Sequence, residues 1–426
     1  MNYYDYLGQF VYFSKEPPTL DVISWFLKKV GNPHLGMKFV HVAGTNGKGS
    51  VVETIASALQ RAGLKVGKHI SPYLVRFNEY ISINGVEITD NEAEEYLDEL
   101  KPFIDERLTA GLPVRYFEIV GPMAFMHFKR HNVDIAVIEV GMGGTHDYTN
   151  VITPLVSIIT KIDFDHKEVL GQTIEEIAGK KAGIIKRDVP SITSNEDEAL
   201  EVIRRKAKEE NSTLTEVKKS EISKVELQIE KPKMTFRFKH HLYETTLLGR
   251  HQATNTALAI EALKILQPHL PKHPTLQHQK IFRVTHPARF EVLSREPLII
   301  FDGAHNANGI QGLCDLVRDA FTGKKQKKLF IVSMLKRKDP DEAMEQLALG
   351  KGHRSSIIFT SGTCDEFHSA KTLLTSFMKF INPKNQTSIK LMNFHDALNQ
   401  ANPDVATFII GSFKTYKTVQ ATLGKH

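Results

Sequence analysis

From residue 38 onward the chain alternates between two hydrophobic rhythms. Largely apolar runs at residues 39–42, 133–140 and 155–162 are rich in Val and Ile, with too few polar interruptions for a sheet wet on one side. They predict buried parallel strands. Between and beyond them, apolar residues return every three or four positions, which predicts helices over residues 89–108, 173–186, 196–210 and 251–266. Directly after the first run, Val51, Ile55 and Leu59, with Val52 and Ala56 in step, draw one apolar stripe that Gly63 ends. Residues 222–248 alternate more weakly and predict a small antiparallel insertion with one wet face. The prolines and histidines from Pro268 to Pro274 read as the start of a linker; their histidines lack the repeated spacing of a metal site. A second alternation follows, with strands expected at residues 298–301, 328–335, 356–360, 389–392 and 407–410. The whole reads as two α/β domains, residues 1–285 and 286–426, the second a Rossmann-like doubly wound sheet.

Composition changes this picture little. A length of 426 residues suits two or three domains, and a formal charge of +6 is modest for that length. Without a polybasic tail with interleaved aromatics, nucleic acid is not an expected partner. No apolar run reaches the roughly 20 residues of a membrane span, and residues 1–13 lack the pattern of a secretory leader. The two cysteines, Cys314 and Cys364, make no disulfide framework, so a reducing cytoplasm is expected.

The chemistry gathers at strand ends, where open parallel sheets bind their ligands. The segment Gly44-Thr45-Asn46-Gly47-Lys48-Gly49-Ser50 lies between a strand and a helix. Glycines allow close approach to phosphates, the helix N-terminus faces them, Lys48 neutralises outer oxygens, and the Ser50 hydroxyl suits Mg²⁺. The commonest nucleotide loop has Ser or Thr directly after the lysine; here Gly49 intervenes. Glu139 ends the apolar run 134–138 beside Gly141, Gly143 and Gly144, and a buried carboxylate there needs a cation or hydrogen-bond donors. A structural salt bridge would also meet that need. His166 follows the next run. Its strand is expected to neighbour that of Glu139, which makes it a candidate Mg²⁺ ligand, although imidazole is not magnesium's usual choice.

These segments, taken in order, resemble the Mur-ligase superfamily, and within it the folylpolyglutamate synthase and dihydrofolate synthase family. The variant loop spacing is similar to that family's ATP loop. Ile70-Ser71-Pro72-Tyr73-Leu74 resembles its Ser-Pro-His-Leu loop, with Tyr73 in place of histidine. Glu139-Val140-Gly141-Met142-Gly143-Gly144, continued by Asp147–Asn150, resembles Glu-Val-Gly-Leu-Gly-Gly. Phe164-Asp165-His166 resembles the metal-histidine segment, and Lys180-Lys181-Ala182-Gly183-Ile184 resembles Glu-Lys-Ala-Gly-Ile, whose lysine is carbamylated. Gly249–Asn255, Pro287-Ala288-Arg289 and Asp302-Gly303-Ala304-His305-Asn306 match further segments. Departures fall at Ile410-Gly411-Ser412-Phe413-Lys414, Ser361–Asp365, Arg337-Lys338-Asp339 and Gly144–Asp147.

The resemblance implies a Mur-ligase-like fold, with a P-loop ATPase domain followed by the Rossmann-like domain and a cleft between them. It implies ATP held by Thr45, Asn46, Gly47, Lys48, Gly49, Ser50, Asn255, Arg289 and Asp302, and Mg²⁺ held by Ser50, Ser71, Glu139, His166 and a carbamate on Lys181. Lys48, Lys181 and His305 take the catalytic roles, and Phe117 and Glu118 line the pterin region, although packing in a core fits Phe117 equally. The implied reaction adds L-glutamate to the γ-carboxylate of a folate; the sequence leaves open whether dihydropteroate is also an acceptor, and a cytoplasmic monomer is expected. Alternatives are a folate-binding paralogue with little turnover and a P-loop ATPase module. A cell-wall Mur ligase would carry a uridine-nucleotide domain before the loop, where this sequence has 43 residues.

Overall fold

The computed structural model describes residues 3–11, 19–270, 276–322, 326–381 and 387–424. Pro271, His273 and Pro274 of the expected linker lie outside them, as does part of the N-terminal segment.

The strands in chain order are β1 (Phe39–Ala43), β2 (Val66–His69), β3 (Ile81–Ile83), β4 (Val86–Glu87), β5 (Ile135–Glu139), β6 (Val156–Ile159), β7 (Ser191–Thr193) and β8 (Leu214–Glu216). They form one sheet in the order β4-β3-β2-β5-β1-β6-β7-β8. From β2 to β8 the pairings are parallel, and β3 and β4 add an antiparallel edge. Every residue of β1, β5 and β6 is buried, as expected for a parallel sheet covered on both faces.

One expectation is corrected by the strand order. Glu139 and His166 do not follow neighbouring strands, because β1 lies between β5 and β6. The strand that launches the phosphate loop is thus flanked on both sides. Val42 pairs with Glu139 in register on one side, and Ala43 with Ile159 on the other.

The helix Lys48–Arg61 follows β1 and buries Val51, Ile55 and Leu59, the stripe read from sequence. The helix Tyr116–Arg130 was not foreseen. Twelve of its residues are buried, including Glu118 and the run Ile119–Phe128, so it has no polar face to give a period. It packs in a core with Ile23, Phe26, Tyr96, Leu100 and Ile104.

Strands β9 (Ile222–Gln228), β10 (Lys233–Phe238), β11 (His241–Thr245) and β12 (Ile281–Phe282) make a four-stranded sheet in the order β12-β11-β10-β9. Met234, Phe236 and Phe238 of β10 are buried while Arg237 is exposed, which is the expected wet face. The last six strands are β13 (Glu291–Arg295), β14 (Leu298–Asp302), β15 (Lys327–Val332), β16 (Ser355–Phe359), β17 (Ser388–Leu391) and β18 (Val405–Ile410). Their order is β13-β14-β18-β15-β16-β17, parallel except for β13, which pairs antiparallel with β14.

Contacts within the chain define two units. One comprises Met1–Ile222, Phe238–His241 and Thr254–Val284; the other comprises Ser223–Arg237, Leu242–Ala253 and Thr285–His426. Most of the insertion therefore belongs with the second unit.

Candidate active site

In the first unit the phosphate loop leaves β1 at Ala43 and enters its helix at Lys48. Gly44 has φ +148° and Gly47 φ +97°. A Cβ on Gly44 would lie 1.8 Å from Thr160 Oγ1, and one on Gly47 would lie 2.5 Å from Asn255 Oδ1. Both positions therefore require glycine. The same contact places Asn255 against the loop. The N–H groups of Thr45 and Asn46 donate to Lys161 O at 2.9 and 3.2 Å, and Thr45 Oγ1 donates to Asp163 O at 3.0 Å. The loop is fastened to the chain after β6, which leaves the first turn of the helix to present its N–H groups and positive dipole end.

Lys48 curls back over this loop. Its Nζ donates to Gly44 O at 3.2 Å and Thr45 O at 3.4 Å, and lies 3.9 Å from Glu139 Oε1. Glu139 is buried, and its Oε2 accepts from Ser71 N at 3.4 Å. Ser50 is buried in the first helical turn. Asp147, buried in the loop after β5, accepts from Met142 N at 2.9 Å and Thr149 N at 3.0 Å. Burial raises its carboxyl pKa.

Lys181 reaches the loop from the helix Ile174–Ala182. Its Nζ donates to Gly44 O at 2.8 Å, and the residue is 3% exposed. Burial, followed by the nearby Lys48 charge, lowers its pKa to about 7. His166 has a left-handed backbone (φ 49°) and lies 3.9 Å from Asp165 Oδ2 and from Glu168 Oε1.

Ser50, Ser71 and Glu139 carry oxygen donors of the kind Mg²⁺ prefers. His166 and Asp165, partly buried in the segment after β6, carry a nitrogen and a further carboxylate.

Phe117 stacks on Tyr148, with centroids 4.9 Å apart and planes 9° from parallel. The Tyr148 hydroxyl lies 2.7 Å from His69 Nε2, and His69 Nδ1 lies 2.7 Å from Tyr80 O. A carbonyl only accepts, so Nδ1 carries the proton and Nε2 accepts from the phenol. Burial lowers the His69 pKa to about 4, which keeps the ring neutral. Glu118 sits three residues inside the same helix. Its carboxylate accepts from Arg115 N at 2.8 Å and from the Arg115 guanidinium at 2.9 Å. It caps the helix in this structure.

In the second unit, Arg289 lies over the Phe413 ring at 4.5 Å. Asp302 ends β14 and accepts from Phe290 N and Ala304 N, both at 2.8 Å. Burial raises its pKa, and Arg289 opposes the shift. A Cβ on Gly303 would fall 1.8 Å from the Phe413 ring, so this loop accepts only glycine there. His305 Nδ1 lies 2.8 Å from Gly303 O, and Asn306 caps the helix Ala307–Ala320 by accepting from Gly309 N at 2.8 Å.

Residues 108–263 match the Mur ligase middle domain family. A Bacillus subtilis protein named dihydrofolate synthase/folylpolyglutamate synthase is 36% identical over 340 residues, 78% of each chain. The chain belongs to the folylpolyglutamate synthase/dihydrofolate synthase family. A Mycobacterium tuberculosis folylpolyglutamate synthase complexed with ADP and AMPPCP matches 99% of this chain and 98% of its own, with TM-score 0.84 and 27% identity. A folylpolyglutamate synthase complexed with AMPPCP and folate matches 99% of this chain and all of its own at TM-score 0.78 and 30% identity.

In this member of the family, the structure brings Lys48, Glu139, Ser71, Lys181 and Asn255 to one loop, and Arg289, Asp302 and His305 to another. Sequence reasoning missed Thr160, Phe413 and the pair His69–Tyr148. Phe413 lies within a departure from the family pattern, and that departure was the only signal of it. Thr160 and His69 act across strands, which spacing along the chain does not reveal.

Proposed function

We propose that this chain joins L-glutamate to the terminal γ-carboxylate of a folate at the cost of ATP, releasing ADP and phosphate. The observation that carries the reading is the convergence of Lys48, Lys181 and Asn255 on the glycine loop of a folylpolyglutamate synthase family member. A carboxylate is a poor acylating agent because its leaving group would be oxide. Phosphorylation by ATP turns it into an acyl phosphate, and the glutamate amine then displaces phosphate. Catalysis of this kind rests on positioning and on stabilising negative charge. Lys48 neutralises phosphate oxygens at the loop and Asn255 orients the nucleotide, while the family resemblance assigns Arg289 and Asp302 to nucleotide binding and His305 to a catalytic role.

Mg²⁺ would be held by Ser50, Ser71, Glu139 and His166, and when bound it supplies positive charge to the phosphates. Lys181 is a candidate for carbamylation. With a pKa near 7 a large fraction is neutral amine at physiological pH, the form that attacks CO₂. The product is a carboxylate-like oxygen donor in place of an ammonium. Phe117, stacked on Tyr148, offers an aromatic face to a pterin. The two-activity name of the Bacillus subtilis relative favours a second acceptor, dihydropteroate. No helix among the described residues is long and apolar enough to cross a membrane. We retain, as part of the proposal, the cytoplasmic, monomeric state expected from the sequence.

The test is ADP release by purified protein with glutamate plus tetrahydrofolate, dihydropteroate or neither. Release that depends on tetrahydrofolate is expected. Equal release in all three would reduce the chain to an ATPase, and none would leave the folate-binding alternative.

A further inference from the structure

The helix Tyr116–Arg130 carries Phe117 at one end and, at the other, His127 and the C-cap residue His131, about 15–20 Å away at 1.5 Å per residue. His127 and His131 are four residues apart, so they share a helix face. Their rings lie 4.5 Å apart between centroids. Glu92, in the first turn of the helix Asp90–Thr109, meets both. Its Oε1 lies 2.8 Å from His131 Nε2 and 3.8 Å from His127 Nδ1. One donor atom from each of the three residues falls within 4.8 Å of the others.

We propose that Glu92, His127 and His131 bind a divalent transition metal of the zinc class and so clamp the helices Asp90–Thr109 and Tyr116–Arg130 together. A tetrahedral ion with bonds of about 2.0–2.1 Å separates its ligand atoms by roughly 3.3 Å. The observed 2.8 and 3.8 Å from Glu92 bracket that edge, and the two imidazole donors lie within 4.8 Å of each other, so shifts of about half an ångström at Glu92 and of at most about 1.5 Å between the rings would complete the site. The carboxylate is already oriented. Its other oxygen accepts from Thr89 N at 2.9 Å and from Thr89 Oγ1 at 2.7 Å, the supporting contact that metal-bound carboxylates use. His127 is buried, whereas His131 and Glu92 are partly exposed, at 39% and 26% of their side chains. A cation therefore reaches the trio from solvent and keeps an open position for water.

Two imidazoles select zinc-like ions over Mg²⁺, which separates this site from the oxygen set at the phosphate loop. The Tyr96 hydroxyl, 3.3 Å from His127 Nδ1, must yield that nitrogen to the metal. Lys65 acts on His127 as an opposing charge, and Glu92 offsets it.

The experiment is titration of untagged, chelator-stripped full-length protein with Co²⁺ while excess Mg²⁺ occupies the oxygen-rich site. Visible absorption and displacement by Zn²⁺ are read, with melting curves taken with and without Zn²⁺. One equivalent is expected to bind, and Zn²⁺ should raise the melting temperature. His131→Ala and Glu92→Gln should each weaken binding at least about 10-fold and remove the Zn²⁺ stabilisation. Glutamine preserves the cap with Thr89, so Glu92→Gln still reports if His131→Ala folds poorly. No binding, or binding unchanged in the folded variants, would overturn the proposal and leave the trio a hydrogen-bond network.

Discussion

Among single residues, Lys181 has the clearest thermodynamic signature. Its pKa falls from 10.5 to about 7 on folding, through burial and then the Lys48 charge. Between those values the unfolded chain holds a proton that the folded chain lacks, so folding stability rises with pH across the window. Below about pH 7 the full cost of a buried cation is present. Lys181→Met should therefore be more stable than wild type at pH 6 without ligands, by about 2–4 kcal/mol, with the gap closing toward pH 10 in urea unfolding. If Lys181 is carbamylated, Lys181→Ala should lose ligase activity that short carboxylates partly restore; full activity would end that assignment. Lys48→Ala should leave the fold intact and cut ADP formation at least about 100-fold, since its amine sits on the loop carbonyls rather than in a core. These residues were legible because each lies in a segment whose neighbours announce its chemistry. Glu118 was legible only as a position. Its structural role depends on Arg115, three residues earlier, and the charged pair reads equally as solvent-facing.

For the elements, hydrophobic period gave the stripe of the helix Lys48–Arg61 and the five parallel strands of the second sheet. It was blind where a helix is buried on every side, as over residues 116–130. It was equally blind to strand order, which sets Glu139 and His166 on opposite sides of β1. Order depends on how crossovers pack, and no local pattern encodes it. The second sheet has its own tight point. Gly411, just beyond β18, has φ +105°, and a Cβ there would fall 2.1 Å from the carbonyl oxygen of Ser333. The obstacle is backbone, which cannot swing aside. Gly411→Ala should destabilise the protein by about 3 kcal/mol or more. A melting temperature within a degree of wild type would show that the sheet end relaxes.

For the whole molecule, acid is the predicted weakness. His41 and His69 are fully buried, and burial lowers their pKa values to about 3 and about 4, from 6.5. As pH falls below 6.5 the unfolded chain takes up protons that the folded chain refuses. Stability is therefore lost, at about 3 kcal/mol per pH unit from the pair. Urea unfolding at pH 7 and pH 5 should show this loss, to which His127 and His251, both lowered to about 4 by desolvation, add, and His69→Gln should lower the slope by about 1.4 kcal/mol per pH unit. The division into two units carries a second consequence. Residues 285–426 alone lack Ser223–Arg237 and Leu242–Ala253, which belong with them, and so lose the Arg250–Asp319 ion pair. That fragment should melt well below the intact protein by circular dichroism.

The contact between Asn255 and Gly47 also sets an order of events during synthesis on the ribosome. The eight strands of the first sheet are complete once Glu216 has emerged, yet Asn255 follows 39 residues later, about 2–8 s at ordinary elongation speed. The nascent chain can therefore build its sheet before the nucleotide loop has all its neighbours. ATP then rewards the finished protein by mass action and does not serve as the template on which it folds.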